Sequence, residues 1–123
     1  MQIAIKGRNV PVTDEIRKHA ERHLAKVARQ VSELAQLEIE LSRERNPRVA
    51  DRYIVETTLY LKGVTLRARE ASPDITHSLN LACEELARQV KRHRDKRRHR
   101  REAHAAASER RSPPGQIASE GAA

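Results

Sequence analysis

Few side chains in this sequence have the type and spacing to break a bond. A nucleophile needs a Ser or Cys held beside a His and an acid. Cys83 is the lone cysteine. It falls in an apolar helical stripe, where a buried structural thiol is the better reading. His77 and Ser78 are neighbours on the same expected helix, so their side chains point apart by about 100°. His93, His99 and His104 bear imidazoles suited to a metal. Their spacings of six and five residues do not share a helical face, and the flanking cations would repel an ion. Glu38, Glu40 and Glu56 could line up on one sheet face for acid–base work. A solvated face, or salt bridges to Arg67 and Arg69 on neighbouring strands, fits them better. The four glycines are scattered and make no phosphate loop. No catalytic residue, cofactor, metal or small-molecule substrate is therefore expected.

The chemistry that the spacing does support is Coulombic. Nine of the 25 Lys and Arg residues fall in Ala87–Arg101, against one acid, Asp95. That segment alone carries a charge equal to the formal +8 of the whole chain. Residues 1–86 hold 14 basic and 13 acidic side chains, and residues 102–123 hold two and three. A nearly neutral body with one cationic arm points to a polyanionic partner, bound through phosphate attraction and counterion release. The competing reading of a charge run is a solvated face or a loose basic tail. Here the run continues an anchored helix and adds to the basic residues of an earlier one, which favours binding.

Aromatic residues are 2 % of the chain, with no Phe or Trp. Modules that read single strands stack bases on aromatic side chains. Tyr53 and Tyr60 are too few, and they fall on opposite faces of one strand. Recognition through phosphates and the shape of folded RNA or DNA remains.

These cations need elements to position them. Ile3 and Ile5 alternate with Gln2, Ala4 and Lys6, which predicts a short strand broken by Gly7-Arg8-Asn9. Thr13 suits a helix N-cap, with Asp14 and Glu15 in the first turn. Ile16, Ala20, Leu24, Val27 and Val31 then recur at helical spacing. Alternation around Leu37–Leu41, Ile54–Leu61 and Val64–Ala68 predicts three more strands, the last two joined at Lys62-Gly63. Arg43 to Asp51 reads as a loop. Ser72-Pro73-Asp74 predicts a helix start with Ser72 as cap and Pro73 at the first helical position. Its buried stripe is Ile75, Leu79, Ala82, Cys83, Leu86 and Val90. From Lys91 to Arg101 the helix is expected to overshoot the sheet by about 16 Å as a cationic rod.

The expected fold is α+β in the order β-α-β-β-β-α. A four-stranded antiparallel sheet carries both helices on one face, as in double-stranded-RNA-binding domains. Residues 1–101 form one domain, and residues 102–123 are expected to be a disordered tail. That domain can bury only about 60–65 % of its unfolded surface, too little for a deep cleft. The opening MQIAIKGRN lacks the 7–15-residue apolar run of a signal peptide. No segment reaches the roughly 18 apolar residues of a membrane span. One cysteine permits no internal disulfide. A cytoplasmic protein without membrane contact is expected.

The run from Ser72 to Lys96, SPDITHSLNLACEELARQVKRHRDK, resembles the signature of the ribosome hibernation promoting factor / ribosome-associated inhibitor A family, also called sigma-54 modulation proteins. Its most specific part is Leu86-Ala-Arg-Gln-Val-Lys-Arg-His-Arg. The opening Ile3-Ala-Ile-Lys-Gly-Arg-Asn-Val-Pro-Val-Thr resembles the family's first strand and Thr-capped helix. The resemblance covers about residues 1–98. Thr76 and Asn80 stand where the family usually has an aromatic residue and an Asp.

The resemblance implies a cytoplasmic protein that binds the small ribosomal subunit, and the protein is expected to be a monomer. It would sit in the channel for mRNA and tRNA, contact rRNA phosphates, and inhibit translation by occlusion in stationary phase or stress. The residues expected to bind rRNA are Arg88, Lys91, Arg92, Arg94, Lys96, Arg97 and Arg98. Lys18, Arg22 and Lys26 on the first helix, and Arg67 and Arg69 at the sheet edge, are expected to support them. Long-form members carry a second domain that pairs ribosomes; this chain is expected to be either a short form or a trimmed long one. Two alternatives stay open. One is a double-stranded RNA-binding module, although that family places its Lys cluster at the start of its second helix. The other is a regulator that docks on an acidic protein partner.

Overall fold

The computed structural model describes residues 1–110. Its elements are β1 (Gln2–Arg8), α1 (Asp14–Gln30), β2 (Gln36–Arg43), β3 (Tyr53–Leu61), β4 (Val64–Ser72) and α2 (Ile75–Arg110). The strands lie side by side in chain order in one sheet. This is the expected α+β arrangement with one correction. β1 pairs parallel to β2, while β2–β3 and β3–β4 are antiparallel. The sheet is therefore mixed. Alternation reports which face a residue lies on and says nothing of strand direction. Direction is set here by α1, a helical crossover of the kind parallel neighbours require.

Residues Met1–Val90 form one compact unit, and the described residues from Lys91 onward belong to another. Inside the first unit, period-2 patterning turns Leu37, Ile39 and Leu41 of β2 and Val55, Thr57 and Leu59 of β3 inward, all nearly inaccessible to solvent. Ala20, Leu24 and Val27 of α1 join the same core, as do Leu79, Ala82, Cys83, Leu86 and Val90 of α2. Both helices thus cover one face of the sheet and leave the other open. Register aligns Ile3, Leu37, Leu59 and Leu66 as one apolar row across all four strands.

Local chemistry explains the element ends. Thr13 caps α1: its Oγ1 accepts the Ile16 N–H at 3.2 Å. β1 continues through Gly7 and Arg8, where the sequence pattern predicts a break. The chain turns just after, at Asn9, whose φ of 61° is left-handed, a conformation Asn tolerates. The cap of α2 is Asp74 rather than Ser72. Asp74 Oδ2 accepts the His77 N–H at 2.9 Å. Ser72 ends β4, and its buried Oγ bonds Ser78 Oγ at 2.6 Å. Ser78 Oγ also donates to the Tyr53 carbonyl at 2.7 Å. These polar side chains are buried because each finds a partner.

The far end of α2 also differs from expectation. The helix runs to Arg110, beyond the end expected at Arg101, so residues 102–110 are helical rather than tail. Ala103, Ala105, Ala106 and Ala107 are strong helix formers and carry the helix on. The remaining residues of the expected disordered tail, 111–123, lie outside the described residues.

Candidate nucleic-acid interface

Lys18, Arg22 and Lys26 are spaced by four on α1, so they stack along one stripe. All three are exposed. The stripe lies about 150° around the helix from Ala20, Leu24 and Val27, at 100° per residue. It therefore points away from the core. None of the three forms an ion pair among the described residues.

Arg88 lies on α2 within the first unit. Its guanidinium donates to Glu85 Oε2 at 2.7 and 2.9 Å, so part of its charge is engaged locally. Its neighbour Gln89 donates to the Arg67 carbonyl at 2.7 Å, which ties α2 to strand β4.

In the second unit, Lys91, Arg92, Arg94, Lys96, Arg97 and Arg98 are all exposed on helix. No residue from Lys91 to Ser108 is buried. No ion pair neutralises these six cations among the described residues. At 1.5 Å per residue, the 20 helical residues 91–110 make a rod about 30 Å long. A rod with charge on every side can meet phosphates from several directions, and each phosphate neutralised releases counterions.

Arg67 and Arg69 are on the open face of β4, with the sheet between them and α1. The structure thus separates two groups expected to act together. A flat ligand reaching Lys18, Arg22 and Lys26 cannot also reach Arg67 and Arg69. Arg69 is also paired, with Nε at 3.0 Å from Glu56 Oε1. Register places Lys6, Glu40, Glu56 and Arg69 in one row across the open face. Arg8 Nε meets Glu40 Oε1 at 3.3 Å, and Tyr60 Oη donates to Glu38 Oε2 at 3.3 Å. The middle of this face is acidic, and its carboxylates hold cations and a hydroxyl in place.

Cys83 is buried, and its thiol is pushed up to about 12 by burial and by the charge of Glu84. A thiol so shifted is not a nucleophile near neutral pH. Among the described residues, no group of three or more His, Cys, Asp or Glu is placed to hold a metal ion. No helix of the described residues is long and apolar enough to cross a membrane.

Residues 3–98 match the model of the family described as sigma 54 modulation protein / S30EA ribosomal protein. The chain belongs to this family. It is 31 % identical over 97 residues to a ribosome hibernation promotion factor of Picosynechococcus, covering 78 % of this chain and 50 % of that one. It is 28 % identical over 96 residues to the ribosome hibernation promoting factor of Salmonella typhimurium, covering 78 % of this chain and 96 % of the relative. The chain thus spans about half the Picosynechococcus relative and nearly all of the Salmonella one. The N-terminal domain of Thermus thermophilus Protein Y superposes with a TM-score of 0.63 at 30 % identity, over 75 % of this chain and 98 % of that domain. A ribosomal subunit interface protein of Coxiella burnetii shares the fold, with a TM-score of 0.65 at 20 % identity.

For this member of the sigma 54 modulation / S30EA family, one further cluster of cations escapes sequence reasoning. Arg43, Arg45 and Arg52, with Asn9, line a pocket where β1 and β2 end and β3 begins. The segment reads as a loop, and no periodicity brings these residues together. The available signal is four arginines, Arg43, Arg45, Arg48 and Arg52, within ten positions.

Proposed function

We infer that this protein binds the small ribosomal subunit and silences translation by occlusion, as a ribosome hibernation factor without catalytic activity. The observation that carries this reading is the exposed cation set from Lys91 to Arg98, unpaired among the described residues, on a stretch of helix with no buried residue. Such a surface has no packing role. Its charge suits the dense phosphate lattice of rRNA, and it needs no base stacking. The names borne by the relatives point the same way.

In this reading the channel that carries mRNA and tRNA receives the protein in the cytoplasm, as a monomer. The cations of α2 hold rRNA phosphates, with Lys18, Arg22 and Lys26 on α1 as further anchors. Arg67 and Arg69 would meet rRNA only where it approaches the opposite face of the sheet. Competition with mRNA and tRNA follows from occupancy alone. Stationary phase and stress are the conditions in which such a block preserves idle ribosomes.

The test is sedimentation of the purified protein with ribosomal subunits through a sucrose cushion at low and high monovalent salt. Saturable, salt-sensitive pelleting with the small subunit, abolished on adding mRNA and tRNA, is the expected result. No pelleting, together with tight binding to plain duplex RNA, would transfer the assignment to a duplex-binding module. A complex that survives nuclease would instead indicate an acidic protein partner.

A further inference from the structure

The arginine pocket has no part in the interface described above. It is built from three places in the chain: Asn9 just after β1, Arg43 at the end of β2 with Arg45 beyond it, and Arg52 just before β3. Each group is held differently. The Arg43 guanidinium carbon lies 5.9 Å from the centroid of the Tyr53 ring, within cation–π range. Arg45 Nη2 donates to Asn9 Oδ1 at 3.4 Å. The Arg52 backbone is fixed by two hydrogen bonds, its carbonyl accepting from Glu44 N at 2.7 Å and its N–H donating to Ala50 O at 3.0 Å.

Two observations point to a ligand. None of the three guanidiniums is paired with a carboxylate among the described residues. Arg8, next to Asn9 in the chain, does take such a partner in Glu40. In addition, Arg52 Nε is shielded from solvent and has no hydrogen-bond partner among the described residues. A shielded donor on a charged group is the kind of atom that native structures satisfy. Three like charges around one cavity also repel unless an anion enters.

We propose that Arg43, Arg45, Arg52 and Asn9 form a binding site for a phosphate group. A tetrahedral oxyanion offers enough acceptor oxygens for three forked donors at once, which a single carboxylate does not. The pocket volume of about 290 Å³ is at the small end for ligand sites. That suits a phosphate or a phosphorylated fragment rather than a large organic ligand. The phosphate can come from a free phosphorylated small molecule or from a nucleic-acid backbone. The site does not depend on the ribosome reading, because it uses none of the cations assigned there.

The test is an NMR titration of the ¹⁵N-labelled full chain, following the Arg52 Nε–Hε signal. Inorganic phosphate is compared with chloride at matched ionic strength. A saturable shift with phosphate and none with chloride is expected. Arg45→Gln, an exposed substitution, should weaken it about tenfold, the order of one charge-assisted hydrogen bond. Adenosine 5′-monophosphate and a short RNA lacking terminal phosphates then separate the sources. Tighter binding of the mononucleotide assigns the site to free phosphoryl groups, and tighter binding of the RNA assigns it to the backbone. A non-saturating shift, or one equal in phosphate and chloride, overturns the proposal. So does an unchanged titration in a folded Arg43→Gln/Arg45→Gln double variant. Failure to pellet with ribosomes would leave these results unaffected.

Discussion

The His19 ring and the Asn80 side chain are hydrogen-bonded to each other, joining α1 to α2 across 61 positions of sequence. Asn80 Oδ1 can only accept, so His19 Nε2 carries the proton. The His23 ring lies one turn along α1, its centroid 4.4 Å from that of His19. Removing the acceptor leaves a half-buried donor without its partner. Asn80→Ala is expected to lower stability by about 1 kcal/mol. A double-mutant cycle with His19→Ala, read by urea denaturation, should return a coupling of about 0.5–1.5 kcal/mol. Strictly additive losses would show that the bond does not link the helices in solution.

Gly7 sits where no side chain fits. A Cβ there would run into the Val10 carbonyl oxygen and come within 3.1 Å of Val12 Cγ2. The nearby left-handed Asn9 makes the chain fold back at this point. Gly7→Ala should cost about 2 kcal/mol or more, because backbone rather than a movable side chain is in the way. Gly63→Ala is a useful contrast. Its Cβ would meet nothing, and only its φ of +81° resists. Thermal unfolding of both variants separates a steric clash from conformational strain.

Burial of Cys83 makes stability depend on pH. The thiol is raised from 9.0 to about 12, first by desolvation and then by Glu84. Since the folded value lies above the unfolded one, the contribution to stability is complete below the unfolded value. It disappears as pH rises toward the folded one. Denaturation midpoints should therefore fall between about pH 9 and 12, and those of Cys83→Ala should fall less steeply. Near neutral pH a thiol-specific reagent should label the folded protein at least about a hundredfold more slowly than the unfolded chain. Fast labelling of the native protein would contradict the buried position.

Charge reversal separates the two ends of the basic region. Arg92→Glu/Lys96→Glu should weaken ribosome binding more than Arg110→Glu/Arg111→Glu. Each phosphate that is no longer neutralised should flatten the plot of log affinity against log salt by about 0.7–0.9. Neutral Gln variants at the same positions give the number of phosphates engaged without added repulsion. Equal effects of the two double reversals would sink the assignment to the stretch from Lys91 to Arg98.

Much of the fold is legible in the sequence because its signals are local. Alternation in Leu37–Leu41 and Val55–Leu61, and helical spacing from Ile16 to Val27, arise from one-sided burial and identify faces directly. The direction of β1 is not legible, since parallel and antiparallel strands share the same period. The cap of α2 is ambiguous because Ser72 and Asp74 are both good caps. Ser78, buried against Ser72, draws Ser72 into the sheet, and that is a tertiary interaction. Among the site residues, the exposure of the α2 cations follows from the end of the apolar stripe at Val90. The opposed faces of Lys18 and Arg69 emerge only with the sheet between them, and the arginine pocket only where three chain segments converge.

The absence of any buried residue from Lys91 to Ser108 bears on how this chain can change over time. Substitutions in a packed helix are screened by folding before they are screened by binding. Here that first screen is nearly absent, since a side chain outside the core can be exchanged at a cost of about 0.5 kcal/mol or less. Charge number, spacing and reach along this stretch are therefore open to drift and selection for affinity alone. Leu86 and Val90, just before it, have no such freedom. The boundary between the constrained and the free halves of a single helix lies at Val90.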